Sequence, residues 1–300
     1  MNTIYKHFLL IIGVLVLSLT SCEDFLDREP LDQVGPNQFL SSESDLASFP
    51  INYYSSLFST HGGWSTGIGR LDDHTDNQAT SNPNLGLYEP GNRLVPQNGD
   101  LGFGNIRAFN FFLQEVLPKR TDNALSGNTL MIDHYIGEVY MLRAMAYFDR
   151  LKTYGDFPIV TTVLPDQEEI LVAAAERKPR NLVARQIISD LDSAILLMQN
   201  GVSNKTRLTK DAALLAKSRV ALYEASFLNY HRGTPRVPGE AGWPGASMSY
   251  NSGFSINLDS EIDWFLDQAM DAAKQVADKI ELTANSGVLN PPSRAEFAPQ

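Results

Sequence analysis

Cysteine is almost absent from this 300-residue chain: Cys22 stands alone, so no internal disulfide can form. Stability has to come from packing, and 43% apolar residues in a chain of this length supply a sizeable core, in one large domain or two. Positive charge is scarce as well, with 24 Lys and Arg against 35 Asp and Glu for a net of -11. That balance, with no basic stripe interleaved with aromatics, argues against nucleic acid as a partner and disfavours anionic lipid surfaces. The five histidines, His7, His61, His74, His134 and His231, never stand four apart, which leaves no helical zinc pair. No Gly-x-Ser-x-Gly elbow occurs, and Gly99, Gly102 and Gly104 neither follow a strand nor carry the lysine of a phosphate loop. Neither a metal nor a cofactor is therefore expected.

What is present begins at the N-terminus. Lys6 precedes a nearly unbroken apolar run from Phe8 to Leu19, followed by Thr20-Ser21-Cys22 and then Glu23 and Asp24. Twelve helical residues would rise only about 18 Å, short of the roughly 30 Å hydrocarbon core, so the run reads as a secretory segment and not a span. Small residues directly before the single cysteine make residues 1–21 a lipoprotein signal peptide with Cys22 as the lipidated mature N-terminus. Lipid would then tether a domain that does not itself cross the membrane. Removing residues 1–21 takes away Lys6 and no acid, leaving 23 bases against 35 acids, a net of -12. Residues 22–40, polar and containing Pro30 and Pro36, form the tether.

Beyond it the apolar spacing is helical. Ser41 or Ser42 reads as an N-cap, followed by Leu46, Phe49, Tyr53 and Leu57, with Pro50 expected to kink that helix or delay its start. Residues 61–102 read as loop. A helix begins near Ile106 and is expected to stop at Pro118. Residues 129–154 carry an apolar stripe too wide for one amphipathic face, which predicts packing on two sides, and they end at Tyr154-Gly155-Asp156-Phe157-Pro158. Further helices are predicted over 181–199, over 209–230 with Thr209 as cap and alanines at its contacts, and over 260–282 with Ile280 on the apolar side. The class is all-α, with successive helices stacked as tetratricopeptide-like pairs between long irregular loops; lacking a strict repeat, a generic helical bundle is the alternative.

Two kinds of residue could carry binding. Asp72, Asp73, His74, Thr75, Asp76 and Asn77 form the densest set of oxygen donors, fit for sugar hydroxyls and, without the spacing or glycine of an EF-hand, less so for calcium. Trp64, Tyr88, Trp243 and Tyr250 sit in glycine-rich loops, where a flat ring can stack on the C–H face of a sugar while Asp72, Asp73 and Asn77 bond its hydroxyls. Equally, each ring could simply pin its own loop. Trp264, inside a helix, reads as core.

The segment Leu142-Arg143-Ala144-Met145-Ala146-Tyr147-Phe148 with Tyr154-Gly155-Asp156-Phe157-Pro158 resembles the SusD/RagB family of nutrient-uptake lipoproteins. So do Cys22-Glu23-Asp24-Phe25-Leu26-Asp27, Ile187-Ile188-Ser189-Asp190-Leu191, Arg207-Leu208-Thr209-Lys210-Asp211-Ala212-Ala213 and Trp264 with Ala269, Ala272 and Ala273. The resemblance implies a lipid-anchored outer-membrane protein facing the cell exterior, its export signalled by the acids after Cys22. Such a protein captures oligosaccharides, or less often peptides, and passes them unchanged to a SusC-like TonB-dependent transporter. No catalytic residue is implied. Arg143 is expected to tie helices together and Gly155-Asp156 to shape a turn. Family members usually run considerably longer, so residues 41–300 are expected to be a SusD-like helical domain incomplete at its C-terminus. Two rivals stay open: a secreted glycoside hydrolase, which needs two carboxyl groups facing a cleft, and a helical scaffold that binds peptides.

Overall fold

The computed structural model describes residues 39–58, 101–202 and 206–282. They form an all-α architecture of tetratricopeptide-like helix pairs: α1 (Glu43–Leu57), α2 (Gly104–Thr121), α3 (Thr129–Tyr154), the short α4 (Glu168–Ala174), α5 (Arg180–Leu197), α6 (Lys210–Tyr230) and α7 (Leu258–Ala277). The signal peptide, Cys22 and the tether up to residue 38 lie outside the described residues. Among those residues no helix is long and apolar enough to cross a membrane.

Helix α3 is the hub, packed by α1, α2 and α5, while α6 leans on α5 and α7 on α6. Polar ties between helices give their directions. Arg120 with Asp133 and Asn110 with Arg143 set α2 antiparallel to α3. Arg180 with Glu224 and Lys217 with Asp192 do the same for α5 and α6. Arg232 with Asp259 and Lys279 with Asp211 do so for α6 and α7. The predicted two-sided burial of α3 is met, with Val139, Leu142, Tyr147 and Leu151 wholly enclosed. The alanines of α6 serve close packing too, Ala213, Ala221 and Ala225 being buried between neighbours.

Arg143 lies in the core of this frame and does what was expected of it. Its guanidinium grips both oxygens of Asp190 on α5, at 2.8 and 2.6 Å, and donates at 2.9 Å to Asn110 Oδ1 on α2. Three helices are thereby joined through one side chain. A second buried network ties α1 to α3: Tyr54 donates to Glu138 at 3.0 Å, and Arg207 grips both Glu138 oxygens. His134 Nδ1 accepts from the Gln199 backbone, leaving its ring proton on Nε2, which sits 2.9 Å from Glu138 Oε1 but off a good hydrogen-bonding line.

The expected cap of α1 is met: Ser42 and Asp45 close a reciprocal capping box that fixes the start at Glu43, so Pro50 does not delay the helix, and the proline ring is buried. Four other helix ends, one each in α2 and α5 and both in α7, differ from the sequence expectation. Pro118 does not stop α2; the last turn closes beyond it through Asp122 N–H to the Pro118 carbonyl, with Lys119 and Arg120 suitably placed at the negative end of the helix. Helix α5 ends at Leu197, before Asn200-Gly201, since Met198 turns extended and buries itself. Helix α7 starts earlier, on the Asn257 cap, and ends at Ala277, leaving Ile280 67% exposed instead of on the core side. Trp264 is half-buried, beneath the Arg185 guanidinium at 3.9 Å.

Candidate functional site

At one end of the bundle the C-termini of α3 and α6, the N-terminus of α5 and the loop 231–257 enclose a cavity of about 560 Å³. Its floor follows from how α3 stops. Gly155 takes a positive φ of 73°, closing the helix through its N–H to the Leu151 carbonyl, and so turns Asp156 inward. Pro179, the cap position of α5, has no side chain to satisfy that helix's free N–H groups. Asp156 supplies the acceptor: Oδ1 takes the Arg180 N–H at 2.8 Å, and Oδ2 takes Trp243 Nε1–H at 2.8 Å. Burial pushes the Asp156 carboxyl above the ordinary aspartate range, opposed by those two donors.

The wall is built from a buried ion pair. Arg180 donates from Nε and Nη2 to the two Glu224 oxygens at 2.9 and 2.7 Å, and its guanidinium lies 3.2 Å from the Phe227 ring centroid. The long loop, whose length called for a reason, folds through two 3-10 turns, Pro244–Ser247 and Ser249–Asn251. These bring Trp243 and Tyr250 to the same cavity. The two differ in what they offer. Trp243 is only 5% exposed, packed against Phe254 and over Gly245 so closely that a Cβ there would come within 2.2 Å of Cζ2. Tyr250, at 36% exposure, offers the more open ring, with Lys178 Nζ 5.8 Å from its centroid. Asn251 steadies the turn by donating to the Gly245 carbonyl at 3.1 Å.

Thus two of the ring residues singled out from sequence are brought together. Trp64, Asp72, Asp73, Asn77 and Tyr88, like the lipidated Cys22, lie outside the described residues. Several residues in the lining escaped sequence reading: Lys152, Arg177, Arg180, Phe227, Arg236 and Met248. Arg177-Lys178-Pro179-Arg180 was a legible signal, a basic run in an acidic chain just before a helix. The turn at Gly155-Asp156, read as purely structural, both shapes the frame and lines the cavity.

A second hollow of about 310 Å³ lies between α2 and residues 160–175. Its lining is mostly apolar, Asn110 being committed to the Val160 and Thr162 carbonyls, with Arg107 as its one charged side chain among the described residues. Among the described residues no group of three His, Cys, Asp or Glu side chains could hold a metal ion.

The family model SusD-like_3, described as starch-binding and associating with the outer membrane, matches residues 24–222. SusD-like protein P25 of Formosa agariphila is 24% identical over 278 residues, covering 87% of this chain and 51% of that protein. SusD-like protein P2 of the same organism is 29% identical over 203 residues, covering 63% of this chain and 37% of that protein. The chain thus spans about a third to a half of the length of these curated relatives. Among solved structures, a SusD-like protein of Bacteroides fragilis matches with a TM-score of 0.43 at 21% identity, over 67% of this chain and 38% of that one. A laminarin-binding SusD-like protein matches with a TM-score of 0.40 at 20% identity, over 62% of this chain and 41% of that one. The family match takes in about two thirds of the sequence and runs from the segment after Cys22 into α6, and the chain belongs to the SusD-like family.

Proposed function

We propose that this protein is a glycan-binding subunit of a nutrient-uptake system, anchored by lipid on Cys22 to the outer membrane and facing the exterior. There it captures oligosaccharides and passes them unchanged to a SusC-like TonB-dependent transporter. The observation that carries the reading is the cavity beside Asp156: within the roughly 300 to 1,000 Å³ usual for small-molecule sites, and lined by the rings of Trp243 and Tyr250 together with polar groups, it belongs to a member of a family described as starch-binding. Sugar rings present apolar C–H faces and hydroxyl edges, and this lining offers a surface for each.

Capture without chemistry fits the carboxyl groups present. Hydrolysis of a glycosidic bond ordinarily uses two, about 5 to 9.5 Å apart. Among the described residues the cavity lining holds one, Asp156, and both of its oxygens accept hydrogen bonds from the frame. Tyr250→Ala tests the assignment of the site. Titration calorimetry on the whole protein should show glycan affinity falling by about 1 to 3 kcal/mol, the loss expected of a ring at the centre of an interface, with the unfolding midpoint unchanged. Undiminished affinity would move the site elsewhere.

A further inference from the structure

The cavity's charge runs against that of the chain. Acids outnumber bases 35 to 24 in the whole sequence, whereas among the described residues the lining holds four cationic side chains, Lys152, Arg177, Arg180 and Arg236, and one carboxyl, Asp156. Two of the cations are occupied: Arg180 is buried on Glu224, and Lys152 stands 3.5 Å from Asp149. The other two are not. Arg177 and Arg236 are both exposed, and among the described residues neither has a carboxylate within ion-pair distance. Arg236 reaches only the His231 ring, at 3.5 Å. Asp156 feels the positive charge of Arg177 but stands in ion-pair contact with neither arginine, its two oxygens accepting from Arg180 N–H and Trp243 Nε1–H. The guanidinium fork matches the paired oxygens of carboxylate and sulfate better than it matches single hydroxyls. Two such forks beside a tyrosine face make a site that reads a ring and its negative substituent together.

Resting on the glycan-binding reading above, we propose that this cavity selects acidic oligosaccharides, with Arg177 and Arg236 pairing to carboxylate or sulfate groups on the sugar. An acidic protein repels such ligands at long range, so the local cations decide the preference only at short range and in a salt-sensitive way.

The test is a panel of matched oligosaccharide pairs presented to the whole protein. Oligogalacturonides and alginate oligomers stand beside their carboxyl-reduced forms, and carrageenan oligomers beside their desulfated forms. The expected result is at least one pair in which the acidic member binds about tenfold tighter or more. That advantage should shrink toward parity in the exposed-site double variant Arg177→Gln, Arg236→Gln, and in about 0.5 M salt. Whether the uronate or the sulfate pairs show it identifies which group is read. Equal binding of acidic and neutral members, or a preference that survives the double variant, overturns the acidic selectivity and leaves glycan capture standing. Binding of no glycan at all overturns both.

Discussion

Gly245 is the point at which the ring at the back of the cavity can be moved by a single methyl group. Alanine there would place its Cβ 2.2 Å from Trp243 Cζ2 and 2.5 Å from Cε2, well inside van der Waals contact. Those are atoms of a rigid bicyclic ring that is only 5% exposed and backed by Phe254, so no flexible side-chain end can yield. Overpacking of this kind costs about 1 to 3 kcal/mol. If the indole swings away to relieve it, the 2.8 Å bond from Nε1–H to Asp156 is lost, a hydrogen bond to a charged group worth about 1.5 to 3 kcal/mol. The two losses are alternatives more than they are additive, because movement that removes the overlap is the movement that breaks the bond. Gly245→Ala should therefore lower the unfolding free energy by about 2 to 3 kcal/mol in urea titration. The indole N–H resonance of Trp243, identified by its absence in Trp243→Phe, should shift toward its solvent-exposed position and exchange faster. A variant with the same stability and an unshifted indole resonance would refute the packing described for this loop.

The remaining predictions concern the frame, the carboxyl and the anchor. Arg143→Met leaves Asp190, 2% exposed, without its partner and should cost about 3 to 5 kcal/mol in denaturant unfolding; a loss below about 1 kcal/mol would show that Arg143 does not tie the helices. Because burial raises the Asp156 carboxyl, the folded chain holds that proton at a pH where the unfolded chain has released it. Its contribution to stability therefore grows as pH falls through the raised value toward 3.8 and is lost as pH rises. Asp156→Asn lacks this dependence, so the wild type should gain on it between about pH 7 and pH 4 in paired urea titrations; a constant difference would contradict the raised value. Cys22→Ala should release the protein from the membrane pellet on fractionation, and a variant that still sediments with membranes would show an anchor other than lipid. Trp243→Ala should weaken stability as well as glycan affinity, since its ring is part of the core, whereas Tyr250→Ala should touch affinity alone.

How far sequence could reach varied with the kind of physics involved. Helices whose period is long and whose ends are explicit came through: the 129–154 stripe closed by Gly155, and the Thr209 cap that holds the Ala212 N–H at 3.2 Å. Proline misled at 118, where the closing turn carries the helix past it, and at 50 the delay it could have caused did not occur because the Ser42 capping box fixes the start. Helix α4 was missed for the opposite reason; its seven residues bury nothing fully, so no periodicity announces it. The site was half legible. Glycine-rich sequence around Trp243 and Tyr250 marked a loop with rings, yet Trp243's role as a packed floor depends on Asp156, 87 residues away, which no spacing rule connects. Of the cations, Arg177 and Arg180 stood in one legible basic run, whereas Lys152 and Arg236 lie far from it in sequence and only the fold gathers them beside it.

Glycan capture without chemical change is the central claim, and one experiment addresses both halves of it. The whole protein is titrated calorimetrically against the oligosaccharides that a glycan array selects, and the same samples are then analysed by chromatography for products. Saturable binding with the ligand recovered intact is the predicted result. Shorter products accumulating with time would make the protein an enzyme and send the search to its carboxylates, and the absence of any bound glycan would contradict the account at its root.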